Sequence, residues 1–358
     1  MKPIPTVEQH EFASALRKLL ASESPGTLWK ALADAGVFGL AIAEKYGGAG
    51  GSLDDLAVFY TEAGRALCPT TVHSTLQATL AIDQLGGRYV KARWLPELAS
   101  GNARGTTALW SARDASVVSP VLQADSATGG WRLTGTVDYV ADADVADLIV
   151  VSAAAHGRTL VFAVDARASG ASLEPLVMAG GHRAFTVRFE DVVVSADALL
   201  ADQGSDTEAL RRVANTAVAL GSLDLVGVGQ AVLARTVEYT KLRHQFGRPI
   251  ASFQAAQHLV ANMHIAVAAA RLAAHSAVFW LARGRIATRE TAIARMHAAT
   301  AARLITLDGH QLHGGIGYVT DTDLYLWSER ARLLSTFGGG ADVAASWLEE
   351  TMKPEERQ

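Results

Sequence analysis

The chain has 358 residues, 49% of them hydrophobic, enough for two or three compact domains and too apolar for a disordered segment. A net charge of −4 with no long Lys/Arg run excludes the usual electrostatic footprint of a nucleic-acid binder. A single cysteine, Cys68, excludes an intrachain disulfide and fits a cytoplasmic protein, with the thiol expected to be inert packing.

The opening residues, Met1 to Glu8, lack the apolar core of a signal peptide. Val7, Phe12, Leu16, Leu19 and Leu20 then recur at helical spacing, and Leu28, Leu32 and Ala35 extend the pattern to Gly36. A glycine-rich turn at 47–51 leads into a helix starting near Ser52, with Asp54 and Asp55 in its first turn. Pro96 and Gly101 bracket the last helix of this block, 1–104. From 105 to 205 the texture changes to short Val/Thr/aromatic runs, at 107–112, 117–122, 131–137, 148–152, 159–164 and 185–189, separated by turns such as Gly129-Gly130 and Gly180-Gly181. Strands at this spacing predict a central β-barrel or β-sandwich domain. Over 206–358 the helical period returns in segments 206–241, 255–284, 287–314 and 321–351, which predicts a C-terminal four-helix bundle. The apolar stretch 266–278 is interrupted by Arg271 and His275 and is too short to span a bilayer, so no membrane partner is expected.

Two strings carry chemistry. Arg243-His244-Gln245-Phe246-Gly247, followed by Phe253-Gln254, falls at the break between two bundle helices. An arginine there can hold a pyrophosphate through parallel hydrogen bonds, Phe246 can cover an aromatic ring, and Gln245 and Gln254 can bond an adenosine edge. The second string, Gln311-Leu312-His313-Gly314-Gly315-Ile316-Gly317-Tyr318, ends a long helix with three glycines in four positions. One glycine explains a helix cap; three suit close approach of a ligand to the backbone. Other candidates fall away. Gly227-Val228-Gly229 lacks the preceding strand and third glycine of a dinucleotide turn, and His310 and His313 have no further ligand at metal spacing, so no metal is expected.

In this order, the two strings resemble the flavin-binding motifs of the acyl-CoA dehydrogenases. The stretches 36–40, 44–50, Glu62-Ala63-Gly64-Arg65 and 189–194 are similar to further family signatures. The resemblance implies the acyl-CoA dehydrogenase fold: an α-helical N-terminal domain, a central β-domain and a C-terminal four-helix bundle. It also implies FAD as cofactor, an acyl-CoA substrate and an electron-transfer flavoprotein or similar acceptor. The FAD-binding residues carried over are Arg243, Gln245, Phe246, Gln254, Gln311, Gly314 and Gly315.

The family's reaction, α,β-desaturation of the thioester, needs a carboxylate base. At the two positions where the family carries its glutamate, this chain has Gly338 and Ala217, with Val218 beside the latter, so no catalytic residue is assigned. The β-domain departs as well: 110–116 and Tyr139-Val140-Ala141 stand where the family reads Thr-Glu-Pro-x-x-Gly-Ser and Trp-Ile-Thr against the flavin ring. In the family dimer, the arginine and glycine strings serve the neighbour's flavin. The pattern therefore resembles the non-catalytic subunit of bacterial α2β2 acyl-CoA dehydrogenases of steroid side-chain degradation, completing in trans the FAD site of a catalytic partner. The alternative is a self-sufficient homo-oligomer with a base relocated to Asp321, Asp323 or Asp342. Those carboxylates suit solvated or helix-capping roles better, and Tyr318, with an ordinary pKa near ~10, suits a base less still. A scaffold that binds no flavin would have no use for the arginine and glycine strings.

Overall fold

In the computed structural model, which describes residues 6–200 and 206–352, the first apolar period forms α1 (Val7–Ser22). Next, α2 (Pro25–Asp34) starts on a Ser24/Thr27 capping box with proline in its first turn, a sequence-local start signal. Helices α3 (Leu53–Arg65), α4 (Thr70–Leu85) and α5 (Arg88–Ala99) complete the block. Pro96 lies inside α5, not ahead of it, and Gly101 (φ +72°) follows the helix end, as expected.

The seven strands are β1 (Gly105–Ala108), β2 (Leu122–Ala127), β3 (Gly130–Ala141), β4 (Leu148–Ala155), β5 (Arg158–Asp165), β6 (Ala171–Pro175) and β7 (Ala184–Ser195). They join one sheet. Strand β4 pairs antiparallel with β5 along its length and, on its other edge, parallel with β1 and then β2; β2, β3, β7 and β6 continue as an antiparallel run. Being nearly buried throughout, β4 reads as a continuous apolar run with no alternation.

The expected strands at 107–112 and 117–122 are replaced between 109 and 121 by turns. Ser111 Oγ accepts the Arg113 N–H (3.2 Å) and Asp114 accepts that of Ser116 (2.9 Å), local bonds that compete with a ladder.

Helices α6 (Thr207–Leu242), α7 (Gln254–Leu281) and α8 (Thr288–His313) match the first three expected bundle segments. The expected fourth, 321–351, is two helices, α9 (Leu324–Leu334) and α10 (Ala341–Met352). Gly338 (φ +76°) and Gly339 (φ +103°) between them cannot continue a right-handed helix.

Packing groups the chain into two units that cut across the blocks 1–104, 105–205 and 206–358: 1–21 with 57–68 and 218–358, and 22–56 with 69–217. In the first, Leu225, Val228, Val232, Met263, Ile305 and Trp327 share one core. There α3 and α6 touch backbone to backbone. A Cβ on Gly64 would lie 2.0 Å from the Asp224 carbonyl oxygen, and one on Gly227 2.0 Å from that of Thr61. Beneath this crossing, Asp224 and Arg330 form a buried ion pair at 2.8 Å. In the second unit, the buried Asp142 carboxylate accepts hydroxyls from Thr70, Thr71 and Ser74 at 2.7–3.2 Å, tying the end of β3 to the first turn of α4.

Candidate functional site

The arginine string begins where α6 ends. The Arg243 N–H donates to the Tyr239 carbonyl (2.8 Å), and the Arg243 carbonyl accepts from Ile250 (2.9 Å). Between them a minimal hairpin pairs β8 (His244–Gln245) with β9 (Arg248–Pro249). Its two turn residues, Phe246 (φ +51°) and Gly247 (φ +78°), are both left-handed, as a type I′ turn requires. Glycine takes that conformation freely; a phenylalanine does so at a cost of roughly 1–2 kcal/mol. The turn holds the Phe246 ring 92% exposed, set edge-to-face against Phe253 at 6.2 Å between centroids. Arg243, Gln245 and Gln254 are likewise exposed, and Arg243 has no ion pair among the described residues.

The glycine string ends α8. Gly314 adopts φ 64°, ψ −147°, which is essentially glycine-only. Gly317 packs against His313, where an added Cβ would lie 2.9 Å from the histidine's own. Gly315 differs from both. Its φ is not left-handed, and an added Cβ would meet nothing within 4 Å. Among the described residues nothing demands a glycine there, as expected of a backbone approached from outside. Gln311, Gly314 and Gly315 are exposed. Beneath them the Tyr318 ring stacks on buried His310 (4.6 Å), whose Nε2 meets Ser328 Oγ at 2.7 Å.

The two positions at which the resemblance leads one to expect a glutamate lie elsewhere. Ala217 and Val218 are buried on α6. Gly338 is buried and flanked by two carbonyls held from below: Arg295 on α8 donates from Nε to Gly339 O and from Nη2 to Phe337 O, both at 2.7 Å. Arg295 has no acidic partner among the described residues, and burial pulls its guanidinium down to about 10. Asp321, Asp323 and Asp342 are all exposed. Tyr318 is 71% exposed.

In the second unit, Trp110, Ser111, Arg113, Asp138, Tyr139 and Ser152 line a pocket of about 240 Å³. The two segments expected to face a flavin ring thus meet at one place. Tyr139 sits left-handed (φ +59°) at a bulge in β3 between Val137 and Val140, a local kink that re-aims its side chain. Asp138 accepts the Thr186 hydroxyl at 2.7 Å.

Cys68 is buried, and desolvation pushes its thiol up to about 12, away from reactivity. Among the described residues no three His, Cys, Asp or Glu side chains group as metal ligands. Two features escaped the sequence reading. Arg295 is a charge on the apolar face of α8, and that misplacement was its only signal. Tyr239 lies one helical turn ahead of Arg243, with no signal beyond that spacing.

Residues 7–102 match the acyl-CoA dehydrogenase N-terminal domain and residues 206–352 the acyl-CoA dehydrogenase C-terminal domain. The chain is 32% identical to acyl-CoA dehydrogenase IpdE2 of Mycobacterium tuberculosis over 328 residues, covering 91% of this chain and 87% of that relative. Among solved structures, the Tcur3481-Tcur3483 steroid ACAD superposes with a TM-score of 0.87 at 29% identity, covering 96% of this chain and 97% of that one. The glutaryl-coenzyme A dehydrogenase complex with glutaryl-CoA shares the fold, with a TM-score of 0.91 at 20% identity, covering 100% and 99%. The chain belongs to the acyl-CoA dehydrogenase family of oxidoreductases, whose members bind FAD.

The donor set at the two strings fits that cofactor. Arg243 offers a planar cation without an ion-pair partner among the described residues, Gln245, Gln254 and Gln311 offer amides, Phe246 offers an exposed ring, and Gly315 leaves its backbone open.

Proposed function

We propose that this chain is the non-catalytic subunit of a heteromeric acyl-CoA dehydrogenase, and that it completes in trans the FAD site of a catalytic partner. The observation that carries this is the contrast between its two halves. Arg243, Gln245, Phe246, Gln254, Gln311, Gly314 and Gly315 are presented outward, while the base positions hold Ala217 and Gly338. FAD supplies the hydride acceptor when bound. This chain's part is to grip its pyrophosphate and adenosine through Arg243, the glutamines and the open backbone at Gly314–Gly315.

The helices support a protein partner. Both α6 and α7 are long and apolar enough to cross a membrane by length and composition. The apolar window of α6 is 78% buried within the chain and that of α7 only 33%. Ile265 (64% exposed) and Leu272 (42%) lie seven residues apart, on one face of α7. We assign that face to subunit contact in a cytoplasmic complex. The substrate is an acyl-CoA, with a steroid-CoA suggested by the steroid ACAD it resembles, and the acceptor is an electron-transfer flavoprotein or a similar protein.

The test is to purify the chain alone and co-expressed with a homologous subunit whose glutamate is intact, then record the flavin spectrum and turnover. Flavin and activity only in the mixture support the reading. Bound flavin with turnover in the isolated homomer overturns it in favour of a self-sufficient enzyme with a relocated base.

A further inference from the structure

The two FAD-gripping strings are 68 residues apart in sequence (243 to 311), on different helices. To act on one pyrophosphate they must be held at a fixed separation, because a clamp whose halves drift loses the benefit of preorganisation. Tyr239 on α6 is built to hold it. Its carbonyl accepts the Arg243 N–H at 2.8 Å, so its backbone is one end of the turn that sets Arg243. Its ring stacks on His313 of α8, with centroids 4.3 Å apart and planes 18° apart. Its hydroxyl donates to the His313 carbonyl at 3.3 Å.

That carbonyl belongs to the last residue of α8. His313 is also the N-cap of the 3-10 turn Gly314–Tyr318, so the Tyr239 hydroxyl braces the point where α8 passes into the glycine string. The far side of the contact is rigid. His313 Nδ1 lies 2.8 Å from the Gly309 carbonyl, which fixes the ring on its own helix. Burial, the dominant influence, disfavours the charged imidazole, so a neutral ring meets Tyr239; His310 and Arg235 add to that and the Gly309 bond opposes it. On its flank, Gly317 leaves no room for a side chain beside His313.

We infer that Tyr239 is a positioning residue for FAD: it touches no cofactor but sets the separation between Arg243 and the Gly314–Gly315 backbone. The inference rests on the reading that these strings grip FAD.

The test uses the complex of this chain with its catalytic partner, measuring FAD affinity by flavin fluorescence, thermal midpoint and assembly state. Tyr239→Phe keeps the stack and removes only the hydroxyl bond. It is expected to weaken FAD binding roughly three- to tenfold, the scale of one neutral hydrogen bond, with the midpoint of the FAD-free complex and its assembly unchanged. Tyr239→Leu, which also removes the stack, is expected to weaken it further; should that variant not fold, the Phe arm decides alone. In a double-mutant cycle with Arg243→Ala, the Tyr239→Phe effect is expected to shrink, because without the arginine there is nothing left to align. Unchanged affinity in Tyr239→Phe, or an effect that multiplies independently of Arg243, overturns the inference. An Arg243→Ala variant that retains FAD normally would instead overturn the reading on which it rests.

Discussion

Arg295 donates from Nε to the carbonyl oxygen of Gly339 at 2.7 Å, deep in the helical unit and with no carboxylate to neutralise it among the described residues. A second bond to Phe337 O makes this guanidinium the anchor of the 337–339 segment. Arg295→Leu keeps apolar volume but leaves one buried and one half-buried carbonyl without these donors. It is expected to destabilise the chain by on the order of 2–4 kcal/mol, read as a lower denaturant midpoint with an unchanged slope. Arg295→Lys is expected to recover part of that loss.

The same segment limits what can be restored at position 338. Gly338→Glu would place a side chain on a left-handed backbone (φ +76°), costing roughly 1–2 kcal/mol. The β-domain pocket would still carry Trp110 and Tyr139. The expected outcome is a slightly less stable chain with no acyl-CoA turnover as a homomer. Robust dye reduction by this single variant would show that the β-domain pocket still serves a flavin ring.

Two glycines on α6 should respond in opposite directions to one change. At Gly227 an alanine Cβ would lie 2.0 Å from the Thr61 carbonyl oxygen, so α3 and α6 would have to move apart. Overpacking of this kind costs about 1–3 kcal/mol and more against backbone. At Gly221 nothing lies within 4 Å. Gly221→Ala should therefore stabilise by about 0.5–1 kcal/mol, the helix-propensity difference. Paired thermal melts of the two variants check this, and a destabilised Gly221→Ala would contradict the packing described for α6.

Acid sensitivity should trace partly to His275 on α7. Burial, helped by Arg271, lowers its pKa from 6.5 to about 4. The unfolded chain therefore binds a proton more readily than the folded one, and stability falls as pH drops from about 6.5 towards 4. The full excursion is worth about 3 kcal/mol by linkage. His275→Leu is expected to flatten the unfolding free energy across that window while leaving values above pH 7 nearly parallel, measured by denaturant titration at stepped pH.

Some of this was legible in residues alone. The change from helical to strand texture near 105 and back near 206 needs only side-chain period, and α6, α7 and α8 lie where that period placed them. Ser111 and Asp114 misled because Trp110, Val117 and Val118 have strand propensity, while the local polar bonds that defeat it are short-range and easily overlooked. The strand β6 was missed because it is short and mostly exposed, with only Ala171 and Leu173 half-buried against the core. Gly227 looked like a stray fragment of a nucleotide motif; its reason is the Thr61 carbonyl, far away in sequence, and no local pattern contains that. The two strings could be picked out because their residue types, an arginine with amides and clustered glycines, suit an anionic ligand and an open backbone. Arg295 and Tyr239 could not, because their meaning lies in carbonyls presented by another part of the chain.

The hairpin tip at Phe246 has a kinetic corollary. Its left-handed turn already fixes the ring outward before anything covers it. Burying a phenylalanine contributes about 1.5–3 kcal/mol, and little of that is consumed by ordering where the turn is already fixed before contact. Docking at this surface should therefore proceed as a single encounter whose observed rate rises linearly with concentration, without a slower rearrangement behind it.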